Sequence, residues 1–337
     1  MIDRLEVGGA ERVFLDLTYL LLNENVPVDT LLISGKGPLY SSIDARAGKY
    51  FLDRKWKFNP FNMWKCASIC SRYQIVHVHM RHTHSYVRLA QMISFKKFKI
   101  VFHDHFGDTE MDAQSLLTLK GLFKPRYYIG VSRKLVNWAL SMLKVDHHNA
   151  FLLENTVIPS TENTQINTKQ DMLMISNIRQ IKNVELAIEV ANQTGRKLTI
   201  YGNVYPSAYS EAILKLIETS SFVTLVEGET NIQRFFGNYS LALHTAHSET
   251  GPLVLMEYLA RGLPFLAHTR GEVADVLKNE LPECFIDSLD VTRWEEKIKH
   301  LEKAAPSSEK LRGLFNKYFS TQRYVEKCLN IYHKVLA

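Results

Sequence analysis

Residues 244–267, HTAHSETGPLVLMEYLARGLPFLA, carry two carboxylates eight positions apart, Glu249 and Glu257. Thr250, Gly251 and Pro252 have the composition of a helix start, because proline is tolerated in a first turn. Gly262 has that of a helix stop. Between these signals residues 253–260 are apolar on every side except at Glu257, which predicts a buried helix. A carboxylate inside such a helix needs a partner or a proton. Ligand hydroxyls would supply one; a neighbouring basic residue is the plainer alternative. The helix start offers free N–H groups and a positive dipole end, from Gly251 to Leu253, which suit a phosphate. Glu249 precedes it in the loop. One short segment thus has an acid for a sugar, amides for a diphosphate and an acid for a ribose.

Such a segment must be positioned by a sheet. The runs VDTLLIS (28–34), QIVHVHM (74–80), FKIVFHD (98–104) and YYIGVS (127–132) read as buried strands, and residues 10–22 and 84–93 have helical spacing. After a polar stretch at 154–170, rich in Thr and Asn, the alternation restarts. It gives strands at 171–176, 197–202, 222–228 and 240–245, with helices at 182–194 and 207–219. Strands alternating with helices predict parallel sheets covered on both faces. The fold class is α/β, with two Rossmann-like, doubly wound domains facing a cleft. The expected domains are 1–153, with the helix at 318–337 packing back on it, and 154–317. Ligands of such sheets bind at the carboxyl ends of the strands.

The chain has 337 residues, 46% hydrophobic and 23% charged, which is a globular composition too long for one ordinary core. No apolar run is long enough to span a bilayer, and the first residues lack the apolar stretch of a secretory signal. The four cysteines show no C-x-x-C spacing, so a reducing cytoplasm is the expected compartment. Charge is uneven: residues 1–150 hold 21 Lys and Arg against 13 Asp and Glu, while the rest of the chain is slightly acidic. The N-terminal half is therefore the part expected to meet an anionic surface.

HSETGPLVLMEYLARGLPFLA resembles the Glu-x(7)-Glu segment, followed by Gly-x-Pro, of the family 4 retaining glycosyltransferases of GT-B fold. Other landmarks follow in that family's order. They are VGGAERVFLDL (7–17), IVHVHM, VFHDHFG, YIGVS, ISNIRQIKNVELAIEVA (175–191) and LTIYGN (198–203). The resemblance implies that Glu249 approaches the donor sugar and that Glu257 holds the ribose hydroxyls. It places the backbone of Thr250, Gly251 and Leu253 near phosphate and sugar, and Arg179 and Lys182 on the diphosphate. Asn177 stands where the family more often has a glycine before its arginine, so Lys182 is the firmer assignment. Gly8 and Gly9 resemble the family's glycine turn, and His103 its histidine near the reacting centre, with Asp104 and His105 in the same loop. The donor would be a UDP- or GDP-linked sugar and the acceptor a glycan or a lipid-linked glycan, in surface polysaccharide assembly. Related alternatives are a nucleotide-sugar epimerase and a binding protein that keeps the fold without turnover.

The run HVHMRHTH (77–84) puts His77 and His79 on one strand face, as a metal site would. It reads more simply as core histidines followed by a polar loop, and the resemblance implies neither metal nor other cofactor. Residues 49–65 and 95–99 interleave Lys and Arg with Phe, Tyr and Trp, which suits a headgroup interface. Peripheral contact with the inner face of a cytoplasmic membrane is expected there. No nucleic-acid motif accompanies these residues. Only MIDRLEV precedes Gly8, although a central strand should lead into the glycine turn. The expectation is that the first strand is truncated, that its slot stands empty, and that Met1 is internal to a longer chain.

Overall fold

The computed structural model describes residues 1–56, 59–106, 119–159, 171–229 and 231–337. The chain divides into two compact units, Met1–Thr156 with Thr321–Ala337, and Val157–Ser320. The polar stretch at 154–170 lies largely outside the described residues.

In the first unit, helix α1 (Gly9–Asn23) leads into β1 (Asp29–Leu32), which pairs in parallel with β2 (Gly48–Phe51). Helix α2 (Pro60–Cys70), β3 (Ile75–His79), helix α3 (Arg81–Ser94), β4 (Lys99–Asp104), β5 (Tyr127–Gly130), helix α4 (Arg133–Met142) and β6 (Ala150–Leu152) follow. Strands β3 to β6 form a parallel sheet in sequence order. Met1 and Ile2 lie between β1 and β3. Ile2 N–H donates to Leu31 O at 3.2 Å, and His79 N–H donates to Met1 O at 3.0 Å. The slot expected to stand empty thus holds Met1 and Ile2, the latter in an isolated bridge to Leu32, and their backbone bonds both neighbours. The Met1 ammonium donates to His77 O at 2.7 Å, and burial pushes its pKa down to about 5. Helix α11 (Thr321–Leu336) closes this unit: Lys327 pairs with Glu154, and the Tyr332 hydroxyl oxygen lies 2.7 Å from His77 Nδ1.

The second unit contains β7 (Met172–Ile175), helix α5 (Val184–Thr194), β8 (Leu198–Tyr201), helix α6 (Ala208–Thr219), β9 (Val223–Val226) and β10 (Leu241–His244). Helix α7 (Leu253–Arg261), β11 (Phe265–His268), helix α8 (Glu272–Leu277), β12 (Phe285–Ile286), helix α9 (Val291–Ala304) and helix α10 (Ser308–Phe319) complete it. Its six parallel strands run in the order β12-β11-β10-β7-β8-β9. The chain winds outward from β7 through β8 and β9, then returns to the other side of β7 to lay down β10. The boundary between β7 and β10 is therefore the topological switch point, where the loops leaving the two strands diverge and a crevice opens. Leu173, Ala242, Phe265 and Leu266 are wholly buried, as two-sided coverage of a parallel sheet requires.

Gly202 ends β8 where backbone crowds backbone. A Cβ there would lie 1.9 Å from Ser176 O, at the end of β7. Asn203 N–H donates across this approach to Asn177 Oδ1 at 2.9 Å. Gly202→Ala must push the two strand ends apart, at a cost of about 1–3 kcal/mol, as for other overpacking substitutions. The expected outcome is a lower urea midpoint at unchanged slope; an unaltered midpoint would show that the crowding is relieved without cost.

Candidate active site

Two loops meet at the switch point. The first leaves β7 and forms a single 3-10 turn, Gln180–Lys182, before α5. The second leaves β10 and runs to α7. They are stitched by backbone. Thr245 Oγ1–H donates to Lys182 O at 3.0 Å and Asn183 O at 2.7 Å, and His247 N–H donates to Ile181 O at 2.9 Å. The stitching brings the Lys182 ammonium onto Glu249 Oε1, in an ion pair whose side chains are 30% and 13% exposed. His244, the last residue of β10, places Nε2 at 3.2 Å from the same oxygen. Gly271 backs the carboxylate: with φ +87° it takes a conformation that favours glycine, and a Cβ would lie 3.0 Å from Glu249 Cβ. Glu272 N–H fixes the loop by donating to Thr250 O at 2.7 Å.

Burial by itself would raise the Glu249 pKa. The Lys182 charge and the His244 hydrogen bond outweigh it and hold the carboxyl down at about 2. The site therefore presents an ionised acid beside a cation throughout the neutral range. His244 had no signal in the sequence, because a histidine ending an apolar strand looks like any core histidine. Its Nδ1 is buried and makes no hydrogen bond to any described residue.

Helix α7 starts at Leu253 with Pro252 as its N-cap, and Gly262, at φ +69°, ends it in the left-handed conformation. Its first-turn N–H groups, with Thr250 and Gly251 leading in, lie directly after Glu249. The helix is not buried all round. Leu253, Val254, Glu257 and Arg261 form a half-buried stripe, while Leu255, Met256, Tyr258 and Leu259 fill the core. Glu257 sits on that stripe and accepts from Gln233 Nε2 at 3.2 Å. The expectation of a carboxylate enclosed by apolar side chains is corrected accordingly. Alternation of burial at helical spacing, not uniform burial, places it, and an amide is among its partners.

Arg179 is exposed and lies over the Tyr205 ring, 4.8 Å from its centroid. Gly8 and Gly9 belong to the other unit, where Gly8 is the N-cap of α1 in extended conformation. A Cβ on Gly8 would lie 2.4 Å from a Glu11 carboxylate oxygen, so Glu11 folds back over this helix start. His103, also in that unit, is buried inside β4, with Nδ1 at 3.1 Å from His77 Nε2. Any contact of His103 with a ligand would run through its neighbours; His105, beyond the strand end, is half-buried. Asp104 is taken by Arg81, with an N–O distance of 2.9 Å, and accepts from Tyr128 O–H at 2.9 Å.

The linkage of Glu249 has a definite sign. Its folded pKa, about 2, is below the ordinary value of 4.5, so its contribution to stability is complete above pH 4.5 and disappears as pH falls through about 2. Lys182→Met is expected to destabilise the second unit by on the order of 2–3 kcal/mol at pH 7. Urea titrations should show the gap from wild type falling to less than about half by pH 3. A gap independent of pH would remove the ion pair from the explanation.

Residues 7–159 match the family model for Glycosyltransferase Family 4, and residues 160–313 that for Glycosyl transferases group 1. No curated protein matches the sequence. Among solved structures, Anabaena Alr3699/HepE in complex with UDP and glucose superposes with a TM-score of 0.82 at 13% identity, covering 98% of each chain. Staphylococcus aureus TarM, in a mutant complex with fondaparinux, α-GlcNAc-glycerol and UDP, gives 0.76 at 14% identity, covering 98% of this chain and 99% of that one. The lipopolysaccharide outer core galactosyltransferase WaaB, in its apo form, gives 0.70 at 15% identity with the same coverage. With the two family models spanning residues 7–313 and the fold shared over nearly the whole chain, the protein belongs to the family 4-type glycosyltransferases of GT-B fold.

Proposed function

We propose that this glycosyltransferase retains anomeric configuration while moving a hexosyl group from a UDP- or GDP-linked donor to a glycan or lipid-linked acceptor. The observation that carries the reading is the Lys182–Glu249–His244 cluster at the switch point of the second unit. In this reading the donor diphosphate lies against the N-terminus of α7 and the Lys182 ammonium. Negative charge grows on the diphosphate as the glycosidic bond breaks. A cation and helix amides fixed beside it stabilise the transition state more than the ground state. Glu249, held ionised, accepts from hydroxyls of the donor sugar, and Glu257 accepts from the ribose. Arg179 leaves its stack on Tyr205 to reach the phosphates. The leaving phosphate takes the proton of the acceptor hydroxyl on the face from which it departs, so no covalent protein nucleophile is needed. No metal or other cofactor enters the proposed reaction.

The acceptor side of the proposal rests on a surface of the first unit. Trp56, Phe61, Trp64 and Phe95 are 79%, 69%, 55% and 90% exposed. In sequence, Trp56 and Trp64 adjoin the exposed Lys55 and Lys65, and Phe95 adjoins the exposed Lys96 and Lys97. Phe61 and Trp64 are carried by α2, which packs against α3, and Phe95 caps α3 in the left-handed conformation with φ 55°. Of residues 49–65, positions 57 and 58 lie outside the described residues. Exposed aromatic rings beside lysines match an anionic bilayer: the rings enter the headgroup layer and the ammonium groups meet its charge. We assign this face to a membrane carrying the acceptor, in surface polysaccharide synthesis. Among the described residues no helix is long and apolar enough to cross a membrane, so the assigned contact is peripheral.

Two measurements test these readings. In a thermal-shift series with UDP- and GDP-sugars, one donor is expected to raise the melting temperature in step with the logarithm of its concentration. Glu257→Ala should weaken that donor by about tenfold, the loss of roughly one charge-assisted hydrogen bond. Lys182→Ala should lower transfer by about 100-fold or more; full transfer by that variant would sink the catalytic reading. For the surface, sedimentation with phosphatidylglycerol vesicles should recover the wild type but little of a Phe61→Ser/Trp64→Ser/Phe95→Ser variant. Equal recovery of the two would remove the membrane assignment.

A further inference from the structure

Four imidazoles gather at the carboxyl ends of β3 and β4. Strand alternation puts His77 and His79 on one face, and the parallel register sets His103 beside His79. His77 Nε2 and His103 Nδ1 are 3.1 Å apart, and His79 Nδ1 and His105 Nε2 are 2.9 Å apart. One ring nitrogen from each of His77, His79 and His103 lies within 4.8 Å of the other two. His79 and His103 are buried, whereas His77 and His105 are half-buried, so solvent reaches one side of the group. His103 Nε2 is itself buried without a hydrogen bond to any described residue.

We propose that His77, His79 and His103 bind one divalent transition-metal ion of the zinc, cobalt or nickel class, with His105 or a water as the fourth donor. Two nitrogens at about 2.0–2.1 Å from a tetrahedral ion stand about 3.3 Å apart, close to the spacing already present between His77 and His103. Closing the group around an ion requires His79 to approach by about one ångström or more. Imidazole selects these ions over magnesium and calcium, which take oxygen. The nitrogens point the right way at His77. Its Nδ1 meets the Tyr332 hydroxyl at 2.7 Å, and with that oxygen accepting, the Nε2 lone pair is left for the ion. Such outer contacts fix the tautomer of metal-bound imidazole. The bound ion would tie β3 to β4 and, through Tyr332, to α11. It takes no part in the transfer chemistry assigned to Lys182 and Glu249, and the proposal stands without that assignment.

The test uses the full-length, tag-free, chelator-treated chain carrying His147→Gln and His148→Gln, because exposed Asp146, His147 and His148 form a second cluster that would compete. Titration with Co2+ is expected to give the intense visible bands of a four-coordinate ion, saturating at one ion per chain. Zn2+ should displace it and Mg2+ should not. Tyr332→Phe, which leaves every imidazole in place, should weaken binding about tenfold, and His79→Asn should weaken it by at least that factor. Circular dichroism checks that each variant is folded. If His79→Asn fails to fold, the parent and Tyr332→Phe decide. Absence of a stoichiometric Co2+ band in the parent overturns the proposal, as does binding of equal strength in a folded His79→Asn variant.

Discussion

A carboxylate drawn out of water at the ends of two strands must be answered by charge, and the second unit is arranged around that requirement at Glu249. Its side chain is 13% exposed, and an uncompensated charge there would cost more than the fold gains from many hydrophobic contacts. Lys182 and His244 answer it. His244 is placed by the end of β10, but Lys182 is not near Glu249 by virtue of helix or strand geometry. The threonine and histidine contacts between the two loops bring Lys182 there, and Gly271 leaves room behind. The pair is thus a consequence of sheet order: only strands that are neighbours in space, β7 and β10, can send loops to one point.

The first unit resolves a comparable problem in another way. At the ends of β3 and β4 it buries imidazoles beside an ion pair, Arg81 with Asp104. Desolvation pushes the imidazoles and the Met1 amine toward their uncharged forms, with His105 brought down to about 3 and the amine to about 5. The Arg81–Asp104 pair is closed by Tyr128 and by the Phe106 and Trp138 rings that lie under the guanidinium. The same α/β plan therefore carries a part-exposed lysine–glutamate pair at the strand ends of one unit, and a group of imidazoles beside a buried arginine–aspartate pair at those of the other. Fold alone does not assign either chemistry; the side chains at the strand ends do.

Much of this plan was legible because two-sided burial forces parallel strands into short continuous apolar runs. The stretches at 98–104 and 197–202 could be little else. Strands β2 and β6 escaped notice because their residues are only half-buried, so Lys49 and Tyr50 read as surface. Helix α2 escaped because Phe61 and Trp64 are exposed, and exposed aromatics erase the helical stripe that burial would write. The same effect misled the reading of α7. Leu253 and Val254 lie on its half-buried stripe, so apolar composition overstated how deeply Glu257 is enclosed. The Lys182–Glu249 pair, 67 positions apart, could be suggested only by resemblance, and His244 not at all. His77 and His79 were visible as a pair on one strand, but their meeting with His103 depends on register between strands, which no local pattern records.

The Lys182–Glu249 pair also bears on how a charged ligand would be received. A donor that had to break the pair would leave Glu249 buried and unanswered while its own phosphates gained a cation, and much of the gain would be lost. The chemistry of an ammonium avoids this. It has three N–H donors, and at 30% exposure one side of Lys182 remains open while another holds Glu249. It can add a phosphate oxygen without surrendering the carboxylate, and His244 continues to hold Glu249 on its other side. A guanidinium would present a planar fork that fits one carboxylate or one phosphate face-on. Arginine at this position could bridge two anions only if both lay near the plane of its guanidinium, whereas the lysine ammonium carries no such constraint. In the proposed reaction residue 182 serves two anions at once, and the buried acid beside it is one of them.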